Sequence, residues 1–317
     1  MSPQPLPPAR LRVVPESRDE ALIAFRFRPV GASPLSVDCA RLAGPDAESW
    51  LAGAVEESAE TRGAAWAHGD HYAMVALVLD ETDGDIETAA AQAYERLLVA
   101  VRPSEHPYLL RIWNYFPAIN RGDGDDERYR RFCVGRARAV DGMFNDPPPA
   151  ATAIGSDGEP GRLQVVALCS RAPAVALENP RQTPAWQYPR EHGPVPPGFS
   201  RGALLDADTD APRLLASGTA SIVGHVSQHV GDCAAQLRES LANLDALMAQ
   251  GSEKSGRVFR REGCEALRIY LRHAGDLAAA QAVMAGSGIP AAHITYLRGD
   301  VCRRELDVEL EGVFAAG

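Results

Sequence analysis

The chain has 317 residues, 45% of them hydrophobic, which is enough for one large core or two ordinary ones. With 42 acidic residues against 32 basic ones its net charge is −10, which argues against a general nucleic-acid binder, whose phosphate affinity rests on clustered cations. Lys254 is the only lysine, so the cations are almost all Arg, the better fork for a carboxylate, although so biased a composition also fits a GC-rich genome.

The opening MSPQPLPPARLRVV has no apolar core of a signal peptide, and no later run is long enough to span a membrane. Six scattered cysteines (Cys39, Cys133, Cys169, Cys233, Cys264 and Cys302) form no CxxC pair and read as reduced, mostly buried thiols. Both features lead us to expect a cytosolic protein with no membrane partner. HYAMVALVLD (71–80) predicts a buried strand, and Ile86, Ala90, Ala93, Tyr94, Leu97 and Leu98 then fall on one helical stripe. LLRIWNYF (109–116) predicts a second strand, and Tyr129, Phe132, Cys133 and Val140 a second helix. A polar, Pro- and Gly-rich segment (142–161) interrupts the pattern; RLQVVALCSR and PAVALEN resume it as two strands joined tightly at Ala172–Pro173.

The order then repeats. LLASGTASIVG (214–224) predicts a strand entering a turn, Cys233, Leu237, Leu241, Leu244 and Leu247 step at helical spacing, and ALRIYLRH (266–273) answers LLRIWNYF. DLAAAQAVMAG predicts the last helix, and AHITYLRGDVCR with ELDVELEGV a closing hairpin. Laying VALCSRAPAVALEN (166–179) on GDVCRRELDVELEG (299–312) pairs Cys169 with Cys302 and Glu178 with Glu311, but sets Glu309 against Ala176. In a strand, Glu305, Asp307, Glu309 and Glu311 share one face. On this alignment Glu309, unlike Glu311, has no carboxylate counterpart in the first copy, and a special role falls more naturally on it.

SGTASIVG, the helix containing LRESLANLDAL, LRIYLRH and the terminal VELEG resemble the RidA/YjgF family. More specifically, RIWNYFPAIN (111–120), ERYRRFCVGRARA (127–139), ENPRQTPAWQYPREHGPVPPGFSRG (178–202), SGTASIVGH (217–225) and GDVCRRELDVELEG (299–312) resemble the chorismatases, which carry RidA-like domains in one polypeptide. The resemblance implies an α+β fold of two RidA/YjgF-like (chorismate-mutase-like) repeats, with mixed sheets backed by helices; we set the halves at 1–155 and 156–317. It also implies the small-molecule substrate chorismate, cleaved to pyruvate with no metal and no organic cofactor. The partner product is a dihydroxycyclohexadiene carboxylate, 3-hydroxybenzoate, or a mixture of 3- and 4-hydroxybenzoate.

Protonating an enol ether calls for a carboxylic acid whose pKa is raised by a dry pocket, and the family's essential Glu matches Glu309. The resemblance extends to Cys302, since a cysteine seven residues before that Glu is associated with the aromatising members; this favours 3-hydroxybenzoate. Two substrate carboxylates require fixed donors. By resemblance Arg181, Tyr188 and Arg201 in the Pro-rich segment are candidates, with Arg136 and Tyr129 on the second helix; for Tyr129, core packing stays equally open. Arg190 lies in the same segment, and Gly218, Thr219 and Ala220 either admit a ligand to the backbone or make a tight turn. Two rival readings stand beside this one. His225, His229 and Cys233, spaced by four, would suit a zinc hydrolase if they shared a helix face, although Gly224 and Gly231 break that pattern. A RidA-like imine deaminase or metabolite-binding protein is the other, and a monomer and a homo-oligomer are equally open.

Overall fold

The computed structural model describes residues 11–27, 34–61, 63–81, 85–140 and 148–317. The opening residues 1–10, and 142–147 of the segment read as an interruption, lie outside the described residues. The chain begins with β1 (Arg12–Val14), β2 (Ile23–Arg26), β3 (Arg41–Ala43) and β4 (Ala47–Leu51), of which β1, β4 and β2 make a small sheet in that order.

The first repeat contains β5 (Glu57–Glu60), β6 (Ala64–His68), β7 (Tyr72–Asp80), α1 (Ile86–Val101), β8 (Tyr108–Pro117), α2 (Arg128–Val140), β9 (Ala150–Ser156) and β10 (Arg162–Ser170). Its strands lie in the order β5-β6-β7-β10-β8-β9. The second repeat contains β11 (Val175–Leu177), β12 (Gly202–Leu205), β13 (Arg213–Ala220), the small hairpin β14 (Ile222–Val223) and β15 (Val226–Ser227), α3 (Cys233–Ser255), β16 (Phe259–Leu271), α4 (Leu277–Met284), β17 (Ile294–Arg298) and β18 (Val308–Ala316). Its order, β11-β12-β13-β18-β16-β17, is the same plan, with β3 added at the far edge. In each copy the last strand threads between two earlier ones, antiparallel to both, and the outer neighbour of the long central strand runs parallel to it.

The apolar stripes explain the layers. Ile86, Ala90, Ala93, Tyr94 and Leu97 of α1, with Phe132 and Cys133 of α2, pack on one face of the first sheet. Leu237, Leu241, Leu244 and Leu247 of α3, with Ala280 and Met284 of α4, do the same on the second. The opposite faces turn inward, where Trp113, Tyr115, Leu215, Tyr270 and Val313 share a core with Trp50 and Phe25 of the small sheet. Along the line where the sheets meet, Ala151 donates its N–H to Ser217 Oγ (3.0 Å) and Gly218 donates its N–H to Thr152 Oγ1 (2.9 Å). No helix among the described residues is long and apolar enough to cross a membrane.

Four expectations need correction. First, the interrupted segment contains β9, a strand whose composition is small rather than β-branched because it is wedged between neighbours: a Cβ at Gly155 would come within 2.6 Å of Ile119 and 2.7 Å of Asp300. Second, β10 and β11 are not a hairpin; they join different sheets, and β17 and β18 are separated by β16. Third, β10 closes the first sheet although it lies beyond residue 155, so the halves set at 1–155 and 156–317 cut through a repeat. Fourth, the residue pairing changes. Trp113 and Arg111 of β8 face Val166 and Leu168, while their counterparts Tyr270 and Arg268 of β16 face Glu309 and Glu311. Both glutamates are therefore peculiar to the second copy, and Cys169, on a strand, is not the mate of Cys302, which precedes one.

Candidate active site

A cavity of about 320 Å³ opens where the two sheets meet, within the range of small-molecule sites. Strand alternation brings Glu309 to it from β18, and the bulge in the β13–β18 pairing between Ala216 and Thr219 sets Gly218 beside it. A Cβ at Gly218 would collide with Glu309 Oε1, so glycine is what lets the carboxyl lie against the backbone. Of the four carboxylates in RRELDVELEG, only Glu309 and Glu311 lie on the strand. Glu305 is exposed and accepts from Ser227 Oγ (2.7 Å), and Asp307 lies near His273 (3.8 Å).

Two residues apart, the strand glutamates meet opposite environments. Glu311 Oε1 accepts from Tyr270 Oη (2.6 Å) and Arg268 Nη1 (3.2 Å), and Oε2 accepts from Thr152 Oγ1 (2.5 Å) and from Arg111 Nη2. Arg268 is further held by Glu48 (2.6 Å) and by Tyr115 Oη (2.9 Å). Burial works against the charge on Glu311, but Arg111, Arg268 and these hydrogen bonds hold its carboxyl below the usual range. Glu309 is 5% exposed and receives no hydrogen bond from any described residue. Burial, reinforced by the charge of Glu311 and opposed by Arg111 and Arg201, pushes its carboxyl up to about 8. It is thus a buried acid that keeps its proton at neutral pH.

The other cavity residues come from both repeats. From α2, Tyr129 and Arg136 line the wall, Arg136 lying 5.9 Å from the Phe132 ring and Tyr129 stacked on the same ring at 6.4 Å. Tyr129 therefore packs and lines at once. From the Pro-rich excursion come Tyr188 and Arg201, joined by a hydrogen bond from Arg201 Nη2 to Tyr188 Oη (2.7 Å). Gly218 and Ala220 contribute from β13, and Cys302 from the loop before β18. Burial first, then the charge of Glu309, pushes the Cys302 thiol up, so it is a thiol rather than a nucleophilic thiolate.

Other expectations are not met. Arg181 is not at the cavity; it donates to Glu239 (2.5 Å) and Asn243 (2.7 Å) on α3, tying down the start of the Pro-rich excursion. Asn243 in turn donates to the carbonyls of Ala220 (3.0 Å) and Ile222 (2.9 Å), so this anchor also holds the cavity wall. Thr219 is buried with its hydroxyl on the Ser217 carbonyl (2.8 Å), and Arg190 pairs outside with Asp125. His225, His229 and Cys233 do not share a helix face. His229 (φ 56°) and Gly231 (φ 81°) adopt left-handed conformations, and Asp232 caps α3 by accepting from Ala235 N–H (2.9 Å), so the helix starts only at Cys233.

Several cavity residues escaped the sequence reading. Thr152 lies on the unrecognised strand β9, Asn114 reads as core within β8, and Arg303, beside Cys302, looked like turn polarity. Arg303 lies 5.1 Å from the Tyr188 ring and Arg201 5.5 Å from it. Arg201 Nε and Arg303 Nη2 are buried without a partner among the described residues, which leaves two cationic donors for an anionic ligand.

The comparisons with known proteins bear on the family and the fold. The family model for the N-terminal part of FkbO/Hyg5-like chorismatases matches residues 48–169. A 3-hydroxybenzoate synthase of Streptomyces hygroscopicus is 36% identical over 278 residues, 85% of this chain and 81% of the relative. A chorismatase of Streptomyces rapamycinicus is 37% identical over 279 residues, 85% and 82% of the two chains. A chorismatase crystal structure superposes with a TM-score of 0.80 at 30% identity, covering 96% of this chain and 98% of that one. With such identity over most of both sequences, and the same α+β fold of two RidA/YjgF-like repeats, the chain belongs to the chorismatase family.

Proposed function

We propose that the protein cleaves the enolpyruvyl ether of chorismate, releasing pyruvate and a hydroxybenzoate, chiefly 3-hydroxybenzoate. The observation that carries this reading is Glu309, a protonated carboxyl facing a cavity with cations on its walls. Family membership, and a relative named for 3-hydroxybenzoate synthesis, support it.

Arg136 and the Arg201–Arg303 pair suit the two substrate carboxylates, because each site offers a guanidinium already held by an aromatic ring. Glu309 gives its proton to the enolpyruvyl methylene, and positive charge grows beside the ether oxygen. The carboxylate left behind stabilises that charge, and Arg111 and Arg201 limit the penalty of its ionisation. The substrate's own 4-hydroxyl displaces pyruvate at the neighbouring ring carbon. Its proton returns to Glu309, and the arene oxide so formed opens to the aromatic product. Pyruvate and hydroxybenzoate together contain every atom of chorismate, so this route consumes no water, whereas the diol route consumes one. A thiol at Cys302 and the rings of Phe132 and Phe199 favour the dry route by making that stretch of wall apolar.

Incubation of the purified chain with chorismate, followed by chromatography against 3-hydroxybenzoate, 4-hydroxybenzoate and diol standards, tests the proposal. Pyruvate with 3-hydroxybenzoate in equal amounts is expected. The diol as main product would overturn the intramolecular step, and no pyruvate would overturn the whole reading.

A further inference from the structure

The His-rich motif that fails as a zinc helix leaves one histidine with other partners. The short helical turn Arg190–His192 in the Pro-rich excursion brings Glu191 and His192 to His225, at the turn between β14 and β15. His192 Nε2 lies 3.1 Å from His225 Nδ1, and Glu191 Oε1 lies 3.5 Å from the first and 3.4 Å from the second. A tetrahedral ion bonded at about 2.0–2.1 Å holds its donor atoms about 3.3–3.4 Å apart. A hydrogen bond between the two imidazoles accounts for the first distance alone. A carboxylate oxygen nearly equidistant from the same two ring nitrogens completes a triangle of three ligand atoms close to that donor spacing.

We propose that Glu191, His192 and His225 form a site for a divalent transition-metal ion, Zn²⁺ by its donor set, which pins the Pro-rich excursion to the β14–β15 hairpin at the cavity rim. Two imidazoles and one carboxylate are a borderline-soft nitrogen and oxygen set that suits zinc and disfavours Mg²⁺ and Ca²⁺. The fourth position is left for water. Half-burial of His192 and His225, with side chains 19% and 36% exposed, leaves the point reachable from solvent. Arg303, which donates Nη1 to the His225 carbonyl (2.8 Å), puts a like charge nearby, which weakens binding of a cation there. His192 packs 5.0 Å from the Tyr188 ring, so the ion would stiffen the wall that carries Tyr188 and Arg201. Glu309 is not among the ligands, and the proposal stands or falls independently of the chorismate reading.

The test is calorimetric titration of Zn²⁺ into the metal-stripped full chain without chorismate, repeated with Co²⁺ to read tetrahedral visible bands. Saturable binding of one equivalent is expected, weakened at least about tenfold by His192→Gln and by His225→Gln, and unchanged by His229→Gln. Zinc should also slow hydrogen exchange of the 185–193 backbone in the wild type but not in His225→Gln. Circular dichroism melts check that the variants fold. Absence of saturable binding, or binding that survives undiminished in both folded variants, overturns the proposal.

Discussion

In β10 of the first repeat, Val166 and Leu168 pack where β18 of the second repeat carries Glu309 and Glu311. The flanking framework is common to both: Arg111 on β8 and Arg268 on β16 occupy equivalent places, and the same strand order surrounds them. The first sheet thus keeps an apolar last strand and lends its arginine and Thr152 to the second, where they hold Glu311. Duplication has let one copy become wall and support while the other holds the acid. Within the second copy, Glu311 is paired on every side and Glu309 is left without hydrogen-bond donors, so two like residues differ in protonation because of their neighbours.

Single substitutions at the site should separate these roles, the first of them restoring the first-repeat residue Leu168 at position 311. The largest stability effect is expected from Glu311→Leu, which strips two buried arginines of a counter-charge; about 3–5 kcal/mol should be lost in denaturant unfolding. Replacing Arg201 by Leu removes a charged donor at the cavity and should weaken chorismate about ten- to hundredfold in steady-state KM or direct binding, with little change in the melt of an otherwise intact fold. The pH profile should follow Glu309. Because it acts protonated, turnover should fall as pH rises through about 8, and Glu311→Gln, by removing a neighbouring negative charge, should move that limb to lower pH. The smallest effect concerns stability. Folding favours the protonated Glu309, so its contribution is full below the ordinary carboxylate range and is lost as pH rises through about 8. Glu309→Gln should therefore melt progressively higher relative to the parent chain between pH 6 and 9, by differential scanning calorimetry.

The helices were legible because their stripes are long and regular: the apolar positions read in α1 and α3 are all buried. The central strands were legible for the same reason, and the repeat showed in the likeness of LLRIWNYF to ALRIYLRH. Sheet order was not, since a strand inserted between two earlier ones leaves no local mark, and the likeness around Cys169 and Cys302 suggested a false register. β9 escaped because wedging demands small residues, which read as loop. At the site, Glu309, Arg136, Tyr188, Arg201 and Cys302 do converge, whereas Arg181 looks like any other Pro-loop arginine until the side chains of α3 are in place. Arg303 and Thr152 matter only through contacts across the two sheets, which no single segment encodes.

The central claim is that a buried, protonated Glu309 is the acid. The most direct measurement is pyruvate release from chorismate by Glu309→Gln, with chorismate binding measured on the same preparation. The variant should fold and bind substrate while losing about 10²–10⁴-fold in turnover; turnover near that of the parent chain would contradict the account.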